Sequence, residues 1–107
     1  MEQRRGAVLI AEDNQNLASA LARFLTSNGY EVSTAADGVR ALQLFSAAPP
    51  DLLVLDLRLP LLSGVEVLRK IRASARGKEL PVVIISGAYR GEKFLEGARR
   101  LGVRHCL

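Results

Sequence analysis

The segment Leu52-Leu53-Val54-Leu55-Asp56 decides the fold, because four apolar residues run without a polar break into an acid. A strand that is apolar on both faces is typical of a parallel sheet covered by helices on both sides. A second run, Ala7-Val8-Leu9-Ile10-Ala11, ends in the same way at Glu12-Asp13. If these strands are neighbours, three carboxylates meet at one edge of the sheet, the edge at which α/β proteins bind their ligands.

Short apolar runs of strand character alternate along the chain with segments of helical period. This alternation predicts βα units and a parallel sheet. The simplest arrangement of five such strands is an open, doubly wound, flavodoxin-like α/β sheet of order 2-1-3-4-5, in which strands 1 and 3 are adjacent. The predicted strands are, in chain order, Ala7–Ala11, Glu31–Ala35, Leu52–Asp56, Val82–Ser86 and a last one that begins near Val103.

The segments between the strands carry apolar residues at helical spacing, and we expect each of these stripes to face the core. They are Leu17, Leu21, Phe24 and Leu25 in the first helix, Leu42 and Phe45 in the second, Val65, Leu68 and Ile71 in the third, and Phe94, Ala98 and Leu101 in the fourth. Ser63 with Glu66 predicts a capping box at the start of the third helix, and Asp37 can cap the second.

Composition indicates one domain, residues 1–107, since 107 residues with 49% apolar side chains suffice for a single core. The longest apolar runs have about five residues, far below the roughly 20 needed to cross a bilayer, so we expect a cytoplasmic protein without membrane contact. One cysteine, Cys106, excludes an internal disulfide. The net charge is +4, but the basic residues are dispersed without aromatic interleaving, which favours a solvated surface over direct nucleic-acid binding.

The acids Glu12, Asp13 and Asp56 would repel one another unless one keeps a proton or a cation binds. An all-oxygen set of hard carboxylates favours Mg²⁺. Ser86 ends the fourth predicted strand and places a hydroxyl on the same edge, with Gly87 after it. A metal and a hydroxyl that face one carboxylate favour phosphoryl chemistry, with Asp56 as the nucleophile.

These residues resemble the receiver domain of two-component response regulators, and the resemblance covers nearly the whole chain. It rests on Glu12-Asp13, on Asp56-Leu57-Arg58-Leu59-Pro60 followed by Ser63-Gly64, and on Ile85-Ser86-Gly87-Ala88. The resemblance implies a signalling phosphoacceptor domain rather than an enzyme. A histidine kinase or phosphotransfer protein would donate a phosphoryl group to Asp56, and the change would switch the interaction with an unknown output domain or effector protein.

The resemblance also implies a role for each site residue. Asp13 and Asp56 would hold Mg²⁺, Glu12 would act largely through water, and Arg58 would contribute its backbone carbonyl. Ser86 would be the switch hydroxyl, whose movement toward the phosphate is coupled to an aromatic residue on strand 5 and to repacking around the fourth helix.

The chain departs from the family at its end. Receivers carry a lysine at the end of strand 5, followed by proline, and this chain stops at Leu107 before that position. We therefore expect a receiver that is incomplete at its C-terminus, with a short fifth strand and without the fifth helix. An uncovered apolar face would favour self-association.

Other functions compete with phosphorylation. A degenerate receiver that only binds proteins stays open because the lysine is not in the chain, although Glu12, Asp13, Asp56 and Ser86 together favour phosphorylation. A hydrolase of the haloacid dehalogenase class is disfavoured, since that class places a second acid two residues after the nucleophile, where this chain has Arg58. A nucleotide-binding flavodoxin-like protein is disfavoured because no glycine-rich loop follows the first strand.

Overall fold

A computed structural model describes residues 5–85 and the backbone of residues 105–106. Within these residues five strands form one parallel sheet of order β2-β1-β3-β4-β5, which confirms the predicted flavodoxin-like α/β topology. The elements are β1 (Gly6–Ala11), α1 (Gln15–Ser27), β2 (Tyr30–Ala35), α2 (Gly38–Ala47), β3 (Leu52–Leu55), α3 (Gly64–Ala73), β4 (Val82–Ile84) and β5 (His105–Cys106).

The strand limits differ from the predicted ones by a residue or two, as is usual at element ends. β1 and β2 each begin one residue earlier than predicted, and β3 ends at Leu55 rather than at Asp56. β5 has two residues and is short, as expected. Ser86, which was predicted to end the fourth strand, lies outside the described residues, as does the stripe Phe94, Ala98 and Leu101.

Apolar side chains on the two faces of the sheet form two packed layers, because successive residues of a strand point to opposite faces. The larger layer lies between the sheet and α2 and α3 and includes Leu9, Leu53, Leu55, Phe45, Leu68 and Ile71. The smaller layer lies beneath α1 and includes Val8, Ile10, Val54, Leu21 and Leu25. The central strands β1 and β3 are thus fixed from both sides, and so is the backbone at their carboxyl ends.

The expectation that the whole apolar stripe of α1 faces the core is wrong. Leu21 and Leu25, four residues apart, pack on the sheet, whereas Phe24 is 65% exposed and Leu17 is 37% exposed. Phe24 is rotated by about 100° around the helix from Leu25, which turns it to the flank of α1. Among the described elements α1 packs mainly against β1 and β2, and the described part of the chain leaves this flank largely uncovered.

Side chains cap the start of each described helix. The Asp37 carboxylate accepts a hydrogen bond from the Arg40 N–H at 2.7 Å, as predicted. The Ser63 hydroxyl accepts one from the Glu66 N–H at 3.3 Å, which is one of the two bonds of the predicted capping box. The Glu66 carboxylate forms an ion pair with Arg69. Asn14, which was not predicted as a cap, accepts from the Leu17 N–H at 3.1 Å. No helix in residues 5–85 is long and apolar enough to span a membrane.

Candidate functional site

The edge at the carboxyl ends of β1 and β3 gathers the predicted acids. Ala11 and Leu55 are partners in the parallel pairing of these strands, so the next residue of each chain segment, Glu12 and Asp56, leaves the sheet at the same level. The Asp56 N–H donates to the Ala11 carbonyl at 2.9 Å. The strand order reverses between β1 and β3, which makes this edge the expected ligand-binding crevice.

Three carboxylates come together there. Glu12, Asp13 and Asp56 each offer one oxygen, and these oxygens lie within 4.8 Å of one another. Glu12 and Asp56 are buried, with 4% and 8% of their surface exposed, whereas Asp13 is exposed at the rim. Like charges at this spacing, two of them removed from water, favour either proton uptake or a bound cation.

Glu12 is the carboxyl whose protonation this environment changes, chiefly through burial. Burial raises the pKa of the Glu12 carboxyl from its ordinary value of 4.5 to about 7. The Asn14 N–H, which donates to Glu12 Oε2 at 3.0 Å, opposes the rise, while the neighbouring Asp56 carboxylate adds to it. The site thus holds its negative charge poorly near neutral pH in the absence of a cation.

Two buried leucines, on either side of an exposed arginine, hold the loop after Asp56 against the core. Leu57 is 2% exposed and Leu59 is 8% exposed, whereas Arg58 between them is exposed. The Arg58 N–H donates to Asp56 Oδ1 at 2.9 Å. The two buried leucines therefore fix the Arg58 backbone beside the acids and leave its side chain at the surface.

Gly64 allows α3 to begin directly behind the buried aspartate. A Cβ at this position would lie 2.5 Å from Leu57 Cα and inside the contact radius of the Asp56 carbonyl oxygen. The Gly64 N–H donates to the Leu57 carbonyl at 3.0 Å. A side chain here would push the loop off α3, which gives a physical reason for glycine in the Ser63-Gly64 motif.

The structure brings Glu12, Asp13 and Asp56 together as the sequence predicts, and places the Arg58 backbone beside them. Ser86 lies outside the described residues. Asn14 was missed: it caps α1 with its side chain and holds Glu12 with its N–H. Its signal was an Asn directly ahead of a helical stripe, which is a common helix start.

Comparison with known proteins places the chain in a family. A sequence profile of the response regulator receiver domain matches residues 8–107. Response regulator MprA of Mycobacterium ulcerans (strain Agy99) is 39% identical over 79 residues, which cover 74% of this chain and 33% of that protein. MprA of Mycobacterium tuberculosis (strain ATCC 25618 / H37Rv) is also 39% identical over 79 residues, which cover 74% of this chain and 34% of that protein. The matched stretch is thus about a third of the length of these relatives.

Solved structures share the fold. The chemotaxis protein CheY4 of Vibrio cholerae superposes with a TM-score of 0.86 at 28% identity, covering 94% of this chain and 83% of that one. The receiver domain of the sensor histidine kinase PA1611 from Pseudomonas aeruginosa PAO1 gives a TM-score of 0.82 at 30% identity, covering 95% and 83%. That structure is described with a magnesium ion coordinated in its active site cleft. Receiver domains are signalling modules rather than ordinary enzymes, and this chain belongs to the response regulator receiver domain family.

Proposed function

We propose that this chain is a phosphoacceptor. It takes a phosphoryl group onto Asp56 from a phosphohistidine of a histidine kinase or phosphotransfer protein, in a Mg²⁺-dependent reaction. The modified domain then changes its interaction with an output domain or effector protein. The observation that carries this proposal is the buried Asp56 carboxylate within a cluster of three acids whose oxygens lie within 4.8 Å of one another.

Asp56 is held in a position suited to attack. The Arg58 N–H donates to Oδ1 at 2.9 Å, so one oxygen of the carboxylate is held before a donor arrives. A carboxylate oxygen forms the new O–P bond while the P–N bond of the phosphohistidine breaks. The bonding pair stays on the imidazole nitrogen, which then takes a proton from water. Holding the nucleophile in the right geometry raises the rate of phosphoryl transfer, because less entropy is lost on reaching the transition state.

The donor set fits Mg²⁺. Hard carboxylate and carbonyl oxygens are the ligands that this ion prefers, and it keeps several waters. Asp13 and Asp56 would hold the ion directly, Arg58 would offer its backbone carbonyl, and Glu12 would act largely through water. When bound, the ion supplies positive charge that offsets the charge of the transferring phosphoryl group.

Ser86 would donate its hydroxyl to a phosphoryl oxygen, as the resemblance implies. The residue before it supports this role: the Ile85 N–H donates to the Leu55 carbonyl at 2.9 Å, and Leu55 directly precedes Asp56. Ile85, which precedes Ser86 in the chain, is therefore hydrogen-bonded to Leu55, which precedes Asp56.

The test is to incubate the protein with acetyl phosphate and Mg²⁺ and to read the intact mass. We expect the wild type to gain the mass of one phosphoryl group and Asp56→Asn to gain none. Asp51→Asn is the matched control, because Asp51 precedes β3 at the opposite edge of the sheet and is exposed. It should be phosphorylated like the wild type. An adduct in Asp56→Asn would refute the assignment of Asp56. A wild type that takes no phosphoryl group would refute phosphoacceptance and favour a degenerate receiver that only binds proteins.

A further inference from the structure

We propose that Gly38, the first residue of α2, is a positioning residue for the β3–α3 loop, residues 56–63, which carries Asp56 and the Arg58 carbonyl. The proposal rests on the function proposed above. Gly38 contacts the loop at Pro60 and Leu62 and would act on the site through it.

A hydrogen bond joins α2 to this loop. The Gly38 N–H donates to the Pro60 carbonyl at 3.1 Å, and the same carbonyl accepts from the Leu62 N–H at 2.7 Å. The first N–H groups of a helix have no partner within the helix. Here the loop satisfies one of them, so the start of α2 and the turn at residues 60–62 hold each other in place.

The approach is too close for any side chain. A Cβ on Gly38 would lie 2.7 Å from Leu62 Cβ and 2.8 Å from the Leu62 carbonyl carbon, and still closer to its oxygen. Because the obstacle is backbone, the loop itself would have to move. Leu61, in the middle of the turn, already has a positive φ of 66°, which leaves the turn little freedom to absorb the shift. The displacement is therefore passed to Leu59 and to the Arg58 backbone.

Helix α2, which contacts the loop at Gly38, is itself held in place by the core. Ala41 and Phe45 of α2 are 0% and 6% exposed, so the helix cannot recede without opening the core. The end of β2, just before this connection to α2, also bonds to the other segment that carries acids, because the Ala35 carbonyl accepts from the Glu12 N–H at 2.9 Å. Residues 35–38 thus contact both segments that carry the acids.

The experiment compares two glycine variants of the chain. Gly38→Ala should weaken Mg²⁺ binding, measured by calorimetric titration, by about 10- to 100-fold, the usual effect of changing a residue that supports metal ligands. Phosphorylation by acetyl phosphate should slow at limiting Mg²⁺ and recover at saturating Mg²⁺. Gly77→Ala is the matched control, because its Cβ would lie 2.7 Å from the Ile71 carbonyl carbon, in the α3–β4 loop at the opposite edge of the sheet. It should lose stability and keep the wild-type affinity.

The outcomes separate the two proposals. Wild-type affinity in Gly38→Ala, or an equal loss of affinity in both variants, would overturn the role of Gly38 and leave the proposed function standing. A wild type that neither binds Mg²⁺ nor takes a phosphoryl group would overturn the proposed function.

Amide hydrogen exchange of the wild type tests the same link even if Gly38→Ala does not fold. If the Gly38–Pro60 bond supports the metal loop, Mg²⁺ binding must in turn strengthen that bond, since coupling between sites is reciprocal. We expect exchange of the Gly38 N–H to slow several-fold on addition of Mg²⁺, whereas the Gly77 N–H, bonded to the Ser74 carbonyl, keeps its rate. Equal behaviour of the two amides would contradict the proposal.

Discussion

The Asp56 carboxylate accepts a hydrogen bond from the backbone N–H of Arg58 at 2.9 Å, across one buried residue, Leu57. The donor belongs to the backbone, so every residue except proline at position 58 can supply it. This hydrogen bond therefore does not depend on the guanidinium of Arg58. Residue 58 therefore has two parts to test separately: its backbone N–H bonds to Asp56, and its side chain is exposed.

The first prediction concerns Arg58→Ala. Mg²⁺ affinity should stay nearly unchanged, since both backbone groups remain. The aspartyl phosphate should hydrolyse several-fold faster, because a long side chain beside the site no longer restricts the access of water. The loss of phosphoryl mass is followed after removal of the phosphodonor. Arg23→Ala, an exposed change on α1, is the control with the same loss of charge. Equal rates in Arg58→Ala and the wild type would sink this idea.

The second prediction concerns Asp13, the exposed member of the acid cluster. Asp13→Asn removes one negative charge while keeping the size of the side chain. Mg²⁺ affinity should fall by at least about tenfold, because even residues that only support metal ligands cost this much when changed. Titration calorimetry provides the affinity, with Asp51→Asn as a control for an exposed acid at the far edge. Unchanged affinity of Asp13→Asn would count against the assignment of Asp13 as a ligand.

The third prediction concerns pH and Glu12 in Mg²⁺-free solution. The pKa of Glu12 is about 7 in the folded protein against an ordinary value of 4.5. Between these values the folded state keeps a proton that the unfolded state has released, so this group stabilises the fold at low pH and the stabilisation is lost as pH rises toward 7. Glu12→Gln should lack this contribution, so its free energy of unfolding should fall less over the same interval.

Urea unfolding at several pH values, in the presence of a chelator, measures this difference. Glu79→Gln, an exposed change in the α3–β4 loop, serves as the control and should follow the wild type. The same pH slope in the wild type and Glu12→Gln would show that Glu12 does not carry the raised pKa.

The fourth prediction concerns the turn that contains Leu61. Its φ of 66° is left-handed, a conformation that costs a residue with a side chain about 1–2 kcal/mol and that Asn adopts more readily. The side chain is 80% exposed, so little buried surface compensates for the cost. Leu61→Asn should raise the free energy of unfolding by about 1 kcal/mol in urea denaturation. Leu59→Asn, at a buried position two residues earlier, should lower it. A loss of stability in Leu61→Asn would mean that its side chain makes a contact that matters.

The fifth prediction contrasts two phenylalanines. Phe24 is 65% exposed and Phe45 is 6% exposed. Phe24→Gln should change the free energy of unfolding by less than about 0.5 kcal/mol, as surface changes usually do. Phe45→Ala should cost about 3–5 kcal/mol of unfolding free energy through loss of core packing.

Sedimentation of the wild type and Phe24→Gln would also test the expected self-association, since the flank with Phe24 offers exposed apolar surface. A large stability loss in Phe24→Gln would show that this flank is covered.

The apolar runs and the acids that close them were enough to predict the topology and the acid cluster. Uninterrupted apolar runs placed β1 and β3, and the rule that parallel strands end at one edge brought Glu12, Asp13 and Asp56 together. Periodicity failed at Phe24, because it identifies the apolar stripe of a helix but not how much of the stripe a neighbour covers. The cap at Asn14 was missed for a different reason: Asn is common in turns as well as at helix starts.

By itself, the sequence determined where the acids lie along the strands, because alternation and strand order depend only on residue type and spacing. The tertiary structure alone decided how those acids behave. Glu12 is buried beside Asp56 only because the fold packs distant segments around both residues, and this burial raises the pKa of Glu12. The contact of Gly38 with the β3–α3 loop likewise joins segments that are far apart in the chain, and the reason for a glycine there is visible only once the backbone of Leu62 lies against it.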